Sequence, residues 1–187
     1  GDVYKSITIT QETPLVPADS KELRPHRLAV GLYDIKGDSL QLRKSVELDV
    51  AGAATVVADL AGEKVADLLL INDRDLSYAK LRFDDRSIAT LKTHLGKFDD
   101  ALARALCWAS IWDMHRDAEI STSDFIEIAL NGLAGETDDA IVNIVLMQLN
   151  TSVEAYAKDS NRAAYREKLA NGLWALTQSS APGSDLQ

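Results

Sequence analysis

Cysteine is almost missing from this chain. Cys107 is the single thiol among 187 residues, so no internal disulfide can form, and no Cys/His cluster stands at zinc-finger spacing. Both points argue against structural zinc and for a reducing compartment, with the cytoplasm as the default. Long apolar runs are missing too. The most apolar stretches, such as Val65 to Ile71 and Ile141 to Leu149, fall far short of the ~20 residues that span a bilayer, and no signal-like segment opens the chain. Basic charge is in deficit, with Lys plus Arg 20 against Asp plus Glu 29 and a formal net charge of -9. That field opposes phosphate backbones and anionic lipid, so neither nucleic acid nor membrane is an expected partner. What remains is material for a packed core: 46% hydrophobic and 26% charged residues, enough for one generous domain or two small ones.

Catalytic motifs are also absent. There is no His-Glu-x-x-His, no Gly-x-Ser-x-Gly, no Gly-x-x-x-x-Gly-Lys and no Gly-x-Gly-x-x-Gly, which removes the signatures of zinc proteases, hydrolase elbows, P-loops and dinucleotide folds. His26, His94 and His115 are distant in sequence. Cys107 and His115, eight apart on one helix, point about 80° away from each other and form no dyad. Cys107, between Leu106 and Trp108, reads as packed core. His115, at a helix end beside Asp117 and Glu119, reads as a partner for terminal carbonyls rather than a ligand.

The pattern changes near residue 84. Before it, Leu40, Leu42, Val46, Leu48 and Val50 share one parity and predict one face of a strand. Shorter alternations at Ile7 and Ile9, at Leu28, Val30 and Leu32, and at Leu81 and Phe83 predict further strands, while Leu68 to Ile71 reads as a strand buried on both faces. Turn formers separate them, including Pro14 and Pro17, Gly37-Asp38, Gly52, Gly62 and Asn72-Asp73. Six or seven short strands at this spacing predict an antiparallel sandwich.

After Phe83 the period becomes helical. Asp84-Asp85 opens a first helix that Gly96 stops. Phe98-Asp99 opens a second, with Leu102, Leu106 and Ala109 as its apolar stripe. Ser121 to Asp124 opens a third that ends near Gly132. Thr137 caps a fourth, through Ala157, and a fifth runs from Asn161 to Thr177 with Tyr165, Leu169 and Leu173 at spacing four. The fold class is therefore α+β in two segregated parts: a β-sandwich over residues 1–83, helical hairpins over 84–178, and a flexible tail over 179–187. Charge divides the same way, with 13 acidic and 11 basic residues up to 83 and 16 and 9 after it.

The paired acids Asp84-Asp85, Asp99-Asp100 and Asp138-Asp139 could suggest a two-carboxylate mechanism. Each stands where a helix begins, so capping explains them without catalysis. Asn72-Asp73-Arg74-Asp75-x-Ser77 resembles a calcium loop but lacks the turn glycine and the closing Glu, and reads as a turn between strands. The basic spots at Arg24, His26 and Arg27 and at Arg162, Arg166 and Lys168 lack interleaved aromatics and read as solvated surface. Trp108 and Trp112, one turn apart, predict a thick core where helices cross or meet the sandwich, although a ligand platform has the same spacing.

Three segments carry a resemblance: Leu23 to Asp34 (LRPHRLAVGLYD), Asp67 to Phe83 (DLLLINDRDLSYAKLRF) and Leu102 to Met114 (LARALCWASIWDM). Together, and in this order, they resemble the C-terminal half of bacterial aminopeptidase N, a zinc-dependent gluzincin peptidase. The resemblance implies a β-sandwich that follows a catalytic domain and the start of an α-helical superhelix that closes over it. It also implies zinc in a full-length parent, with the catalytic domain, the remaining helices and short peptides as partners. The family's zinc motif, its downstream Glu ligand and its Gly-x-Met-Glu-Asn segment have no counterpart here, so no catalytic, cofactor-binding or metal residue carries over. Gly1 in place of Met and the short superhelix predict an excised, noncatalytic fragment, inactive alone. Such a fragment should self-associate or fray through its last helix, leaving some of Tyr165, Leu169, Leu173, Trp174 and Leu176 uncovered. The competing expectation is a free-standing module that binds a protein or peptide.

Overall fold

The computed structural model describes residues 1–13 and 21–183. Pro14, Pro17 and residues 184–187 of the expected tail lie outside them. Among the described residues five strands precede five α-helices. Strands β1 (Thr8–Thr10), β2 (His26–Lys36), β3 (Ser39–Val50), β4 (Ala54–Val56) and β5 (Leu68–Ile71) form two antiparallel sheets. One has the order β3-β2-β5, and β1 pairs with β4 in the other. Helices α1 (Asp85–His94), α2 (Ala101–Arg116), α3 (Thr122–Leu133), α4 (Asp139–Thr151) and α5 (Asp159–Ser179) follow, and a π turn over Ser152–Tyr156 extends α4. No helix among the described residues is long and apolar enough to cross a membrane.

The expected single face on β3 is overturned by a β-bulge. Leu32 pairs with Lys44 and Tyr33 with Leu42, so Arg43 has no partner across the ladder. An extra residue reverses the parity of everything beyond it. Leu40 therefore enters one core with Tyr33, Leu68 and Leu70, under the helices, while Val46, Leu48 and Val50 enter another with Leu28, Val30 and Leu32, under the β1-β4 ribbon. β5 is split the same way: Leu68 and Leu70 face the helices, and Leu69 and Ile71 pack against the ribbon's core. The layers are thus ribbon, three-stranded sheet and helices. The helix-side core runs continuously from Tyr33 through Leu91, Ile111 and Phe125 to Val145.

Three further expectations change. Leu81 and Phe83 are buried but belong to no strand, because the chain there leaves the sheet for the helical layer, where the Phe83 amide meets Met114 Sδ at 3.4 Å. On α2 the buried face is Ala103, Cys107, Ile111 and Met114, whereas Leu102 is 47% exposed and Ala109 is exposed as well. The helix is apolar nearly all round, so its period alone does not say which side faces the core. The cap of α4 is Asp138 rather than Thr137, and its carboxylate accepts from the Ala140 and Ile141 amides. Asp84 and Asp100 cap α1 and α2 in the same way, and Ser121 caps α3.

Candidate functional site

The residues from which a reaction could be built do not converge. His94 lies at the end of α1 against Thr93 Oγ1 (2.8 Å), His26 begins β2, and His115 is buried near the end of α2. Among the described residues no three His, Cys, Asp or Glu side chains come together as a metal site. Cys107 is fully buried, and burial pushes its thiol well above its ordinary pKa, opposite to what a nucleophile needs.

His115 has a structural role wider than the helix end. Its Nδ1 lies 3.0 Å from the Ile120 carbonyl and its Nε2 2.7 Å from Ser152 Oγ. A carbonyl only accepts, so Nδ1 carries the proton and Nε2 accepts from the serine hydroxyl. The ring stacks on Phe125 at 4.7 Å and meets Tyr156 edge-on at 5.6 Å. Burial holds its pKa below the ordinary value, with the Ile120 contact acting the other way. The histidine thereby ties α2, the loop after it and the π turn together. Trp112 packs in the same cluster, which is the thick core expected of the tryptophan pair.

Two buried polar anchors were not foreseen as such. In the first, Arg104 and Glu136 form an ion pair with side chains 8% and 0% exposed. Arg104 Nε donates to both Glu136 oxygens at 3.0 Å. The same carboxylate accepts from Trp108 Nε1 at 2.9 Å and from the Thr137 and Asp138 amides at 2.8 and 3.1 Å. One side chain thus binds α2 to the segment that starts α4. Beside it, Gly96 and Gly135 meet backbone to backbone: a Cβ on Gly96 would lie 2.2 Å from the Gly132 carbonyl oxygen, and one on Gly135 2.3 Å from the Gly96 oxygen. A Cβ on Gly132 would strike the Trp108 ring at 2.6 Å. The sequence signal was an Arg within the apolar run LARALCW and a Glu placed before a capping pair.

In the second anchor, Asp73 is buried and accepts from the Tyr33 hydroxyl and from Ser45 Oγ at 3.2 Å. Burial, and then the adjacent carboxylate, push the Tyr33 pKa upward, so the phenol stays a donor. Gly31 makes room for it, since a Cβ there would lie 2.7 Å from Asp73 Cγ. The turn expected at Asn72 to Ser77 is present, and it is anchored from below by this aspartate.

The outer surface differs in character. Within the basic spots Arg27 pairs with Glu47 and Asp49, Arg162 with Asp159, and Arg166 with Glu154. No residue of α5 is buried, and Trp174 is 64% exposed. Between α4 and α5 lies an open groove of about 400 Å³ lined by Leu133, Val142, Leu146, Leu173 and Leu176 together with the polar Glu136, Thr177, Ser179 and Ser180, and Ile144 and Met147 are exposed elsewhere on α4. The arrangement can hold layers together and accept an apolar segment. Among the described residues its buried polar groups are mostly held in structural bonds, the exceptions including Asp34 Oδ1 and Gln148 Oε1.

A family model described as the ERAP1-like C-terminal domain matches residues 68–187. The chain is also similar to aminopeptidase N of Streptomyces lividans, at 42% identity over 189 residues, a stretch that takes in 99% of this chain and 22% of that protein. It therefore spans about a fifth of the length of the curated relative it matches.

Proposed function

The chain belongs to the ERAP1-like C-terminal domain family, and from that premise we propose that it is the noncatalytic part of a longer, aminopeptidase N-like zinc peptidase. The observation that carries this reading is the identity with aminopeptidase N along nearly the whole chain but over a small share of the relative. Residues 1–83 act as a spacer that carries the helices, and residues 84–178 form part of the wall that admits only short peptides to a catalytic centre elsewhere in the protein. The parent removes N-terminal residues from peptides in the cytoplasm, with zinc held by residues outside this chain. The structural support is mechanical: a sheet and a helical layer that share one apolar core, with Arg104 and Glu136 tying the helices to each other and Tyr33 and Asp73 tying the sheet to the loop after β5, suit a rigid element.

The exposed α4 and α5 faces favour a second reading, a free-standing module that binds a protein or peptide in the groove. Sequencing the gene separates the two. A reading frame that runs upstream of Gly1 into a His-Glu-x-x-His supports the peptidase, and a start codon at that point supports the module. Purified chain incubated with zinc and an aminoacyl-arylamide should give no turnover above blank, and measurable hydrolysis would overturn the noncatalytic assignment.

A further inference from the structure

The loop after β5 presents apolar side chains from a backbone fixed in place. Asn72 and Asp75 adopt φ of 60° and 52°, a conformation these two residue types tolerate better than other non-glycine residues. The Asn72 side chain accepts from the Ser77 amide at 3.0 Å and donates to the Ser77 carbonyl at 2.7 Å. Ser77 Oγ donates to the Arg27 carbonyl at 2.8 Å, and Arg74 pairs with Glu47 at 2.8 Å. Asp73 is the buried anchor already described, and a few residues on the chain dives back into the core at Leu81. Between these pins Leu76 is 45% exposed and Tyr78 is 103% exposed.

We infer that Leu76 and Tyr78 form a docking knob whose partner is an apolar, polar-rimmed pocket on the remainder of the longer chain. The inference rests on the peptidase reading and adds the contact that would join this part to the rest. Isolated exposed hydrophobics need no explanation, but two on one pinned loop differ: the ordering entropy is already spent, which is the condition for a small contact to bind. Tyrosine is also among the residues that dominate interface energetics, because its ring is large and rigid and its hydroxyl tolerates a wet rim. The size of the contact selects the partner. A Tyr and a Leu bring on the order of 300 Å², far below the roughly 1,200 Å² of a stable interface between separate proteins. A tethered partner is present at about millimolar effective concentration, so so small a contact suffices within one chain. The share of the relative lying outside this match leaves ample chain to supply the pocket.

The test compares Leu76→Ala/Tyr78→Ala in the longer protein and in residues 1–187 alone. In the isolated chain the melting temperature should fall by no more than a few degrees, since Tyr78 is fully exposed and Leu76 nearly half so. In the longer protein, limited proteolysis between the two parts should accelerate about tenfold, and Tyr78→Phe should restore most of the protection. A photo-crosslinking amino acid at position 78 should join to residues outside 1–187. Unchanged proteolysis, or crosslinks confined to the loop's own neighbours, would overturn the knob while leaving the peptidase reading intact. A gene that encodes no further chain would remove the partner and overturn both.

Discussion

Replacing Glu136 by Leu keeps a side chain of similar reach and deletes the carboxylate on which α2 and α4 meet. Two costs follow. Arg104, 8% exposed, loses its ion-pair partner, and stripping one member from a buried pair costs about 3–5 kcal/mol. Trp108 Nε1, on a residue 4% exposed, loses its acceptor for roughly 1–3 kcal/mol more. The Thr137 and Asp138 amides belong to exposed residues and can turn to water. The single variant should therefore lose about 4 kcal/mol or more, a large part of the 5–15 kcal/mol that stabilises an ordinary domain. The double variant Arg104→Met/Glu136→Leu removes the stranded charge as well and leaves two neutral groups unsatisfied, the indole and the Phe98 carbonyl that Arg104 Nη1 meets at 3.2 Å, so it should recover about 3 kcal/mol of that loss. Urea titration followed by tryptophan emission reads both, since Trp108 reports on the joint itself while Trp174, largely in solvent, changes little. If the double variant is as unstable as the single one, the cost lies in hydrogen bonds rather than charge, and the electrostatic reasoning is wrong. A single variant that loses under about 1 kcal/mol would mean that water reaches the pair.

Gly96→Ala should cost about 1–3 kcal/mol by urea titration, because its Cβ meets a backbone oxygen that no rotamer change can move. Ala118, at φ 62° just past the end of α2, should gain roughly 1 kcal/mol when replaced by Gly, seen as a rise in melting temperature. His115 gives a pH signature. Its folded pKa lies below the unfolded value, so the unfolded chain binds the proton first; stability is full above about pH 6.5 and falls as pH drops through that value toward the folded pKa. His115→Gln should flatten the melting-temperature slope between pH 7 and 5 but leave the lower-pH loss driven by Asp117 and Asp124, whose cationic partners hold them below the usual carboxylate range. Isolated chain at high concentration should sediment as more than a monomer, and Trp174→Ser with Met147→Ser should return it to one; in dilute monomer, α5 amides should exchange faster than those of α2.

Most of the helical part was legible because its ends are written in side chains. Acid pairs and Ser121 announce the starts of four helices, and Gly96 and Gly132 stand near the ends of two. The strands β1, β2 and β3 were legible from alternation, and β5 from its unbroken apolar run, signals that need only neighbours in sequence. What could not be read depends on partners far along the chain. Arg43 as a bulge is visible only once β2 lies beside β3, and the outward turn of Leu102 follows from what Cys107 and Ile111 pack against. Arg104 and Glu136 are 32 residues apart, and nothing local pairs them. The same limit applies to Asp73, whose role depends on Tyr33 across the sheet.

The alternation along β2 has a thermodynamic corollary. Leu28, Val30 and Leu32 belong to one oil drop and Tyr33 to the other, so this strand is a party wall: peeling away either the ribbon or the helices bares the same backbone to water. Half-dismantled forms then forfeit most of what the wall insulates. Heat should take the chain apart in one calorimetric step, with β2 amides the last to admit deuterium.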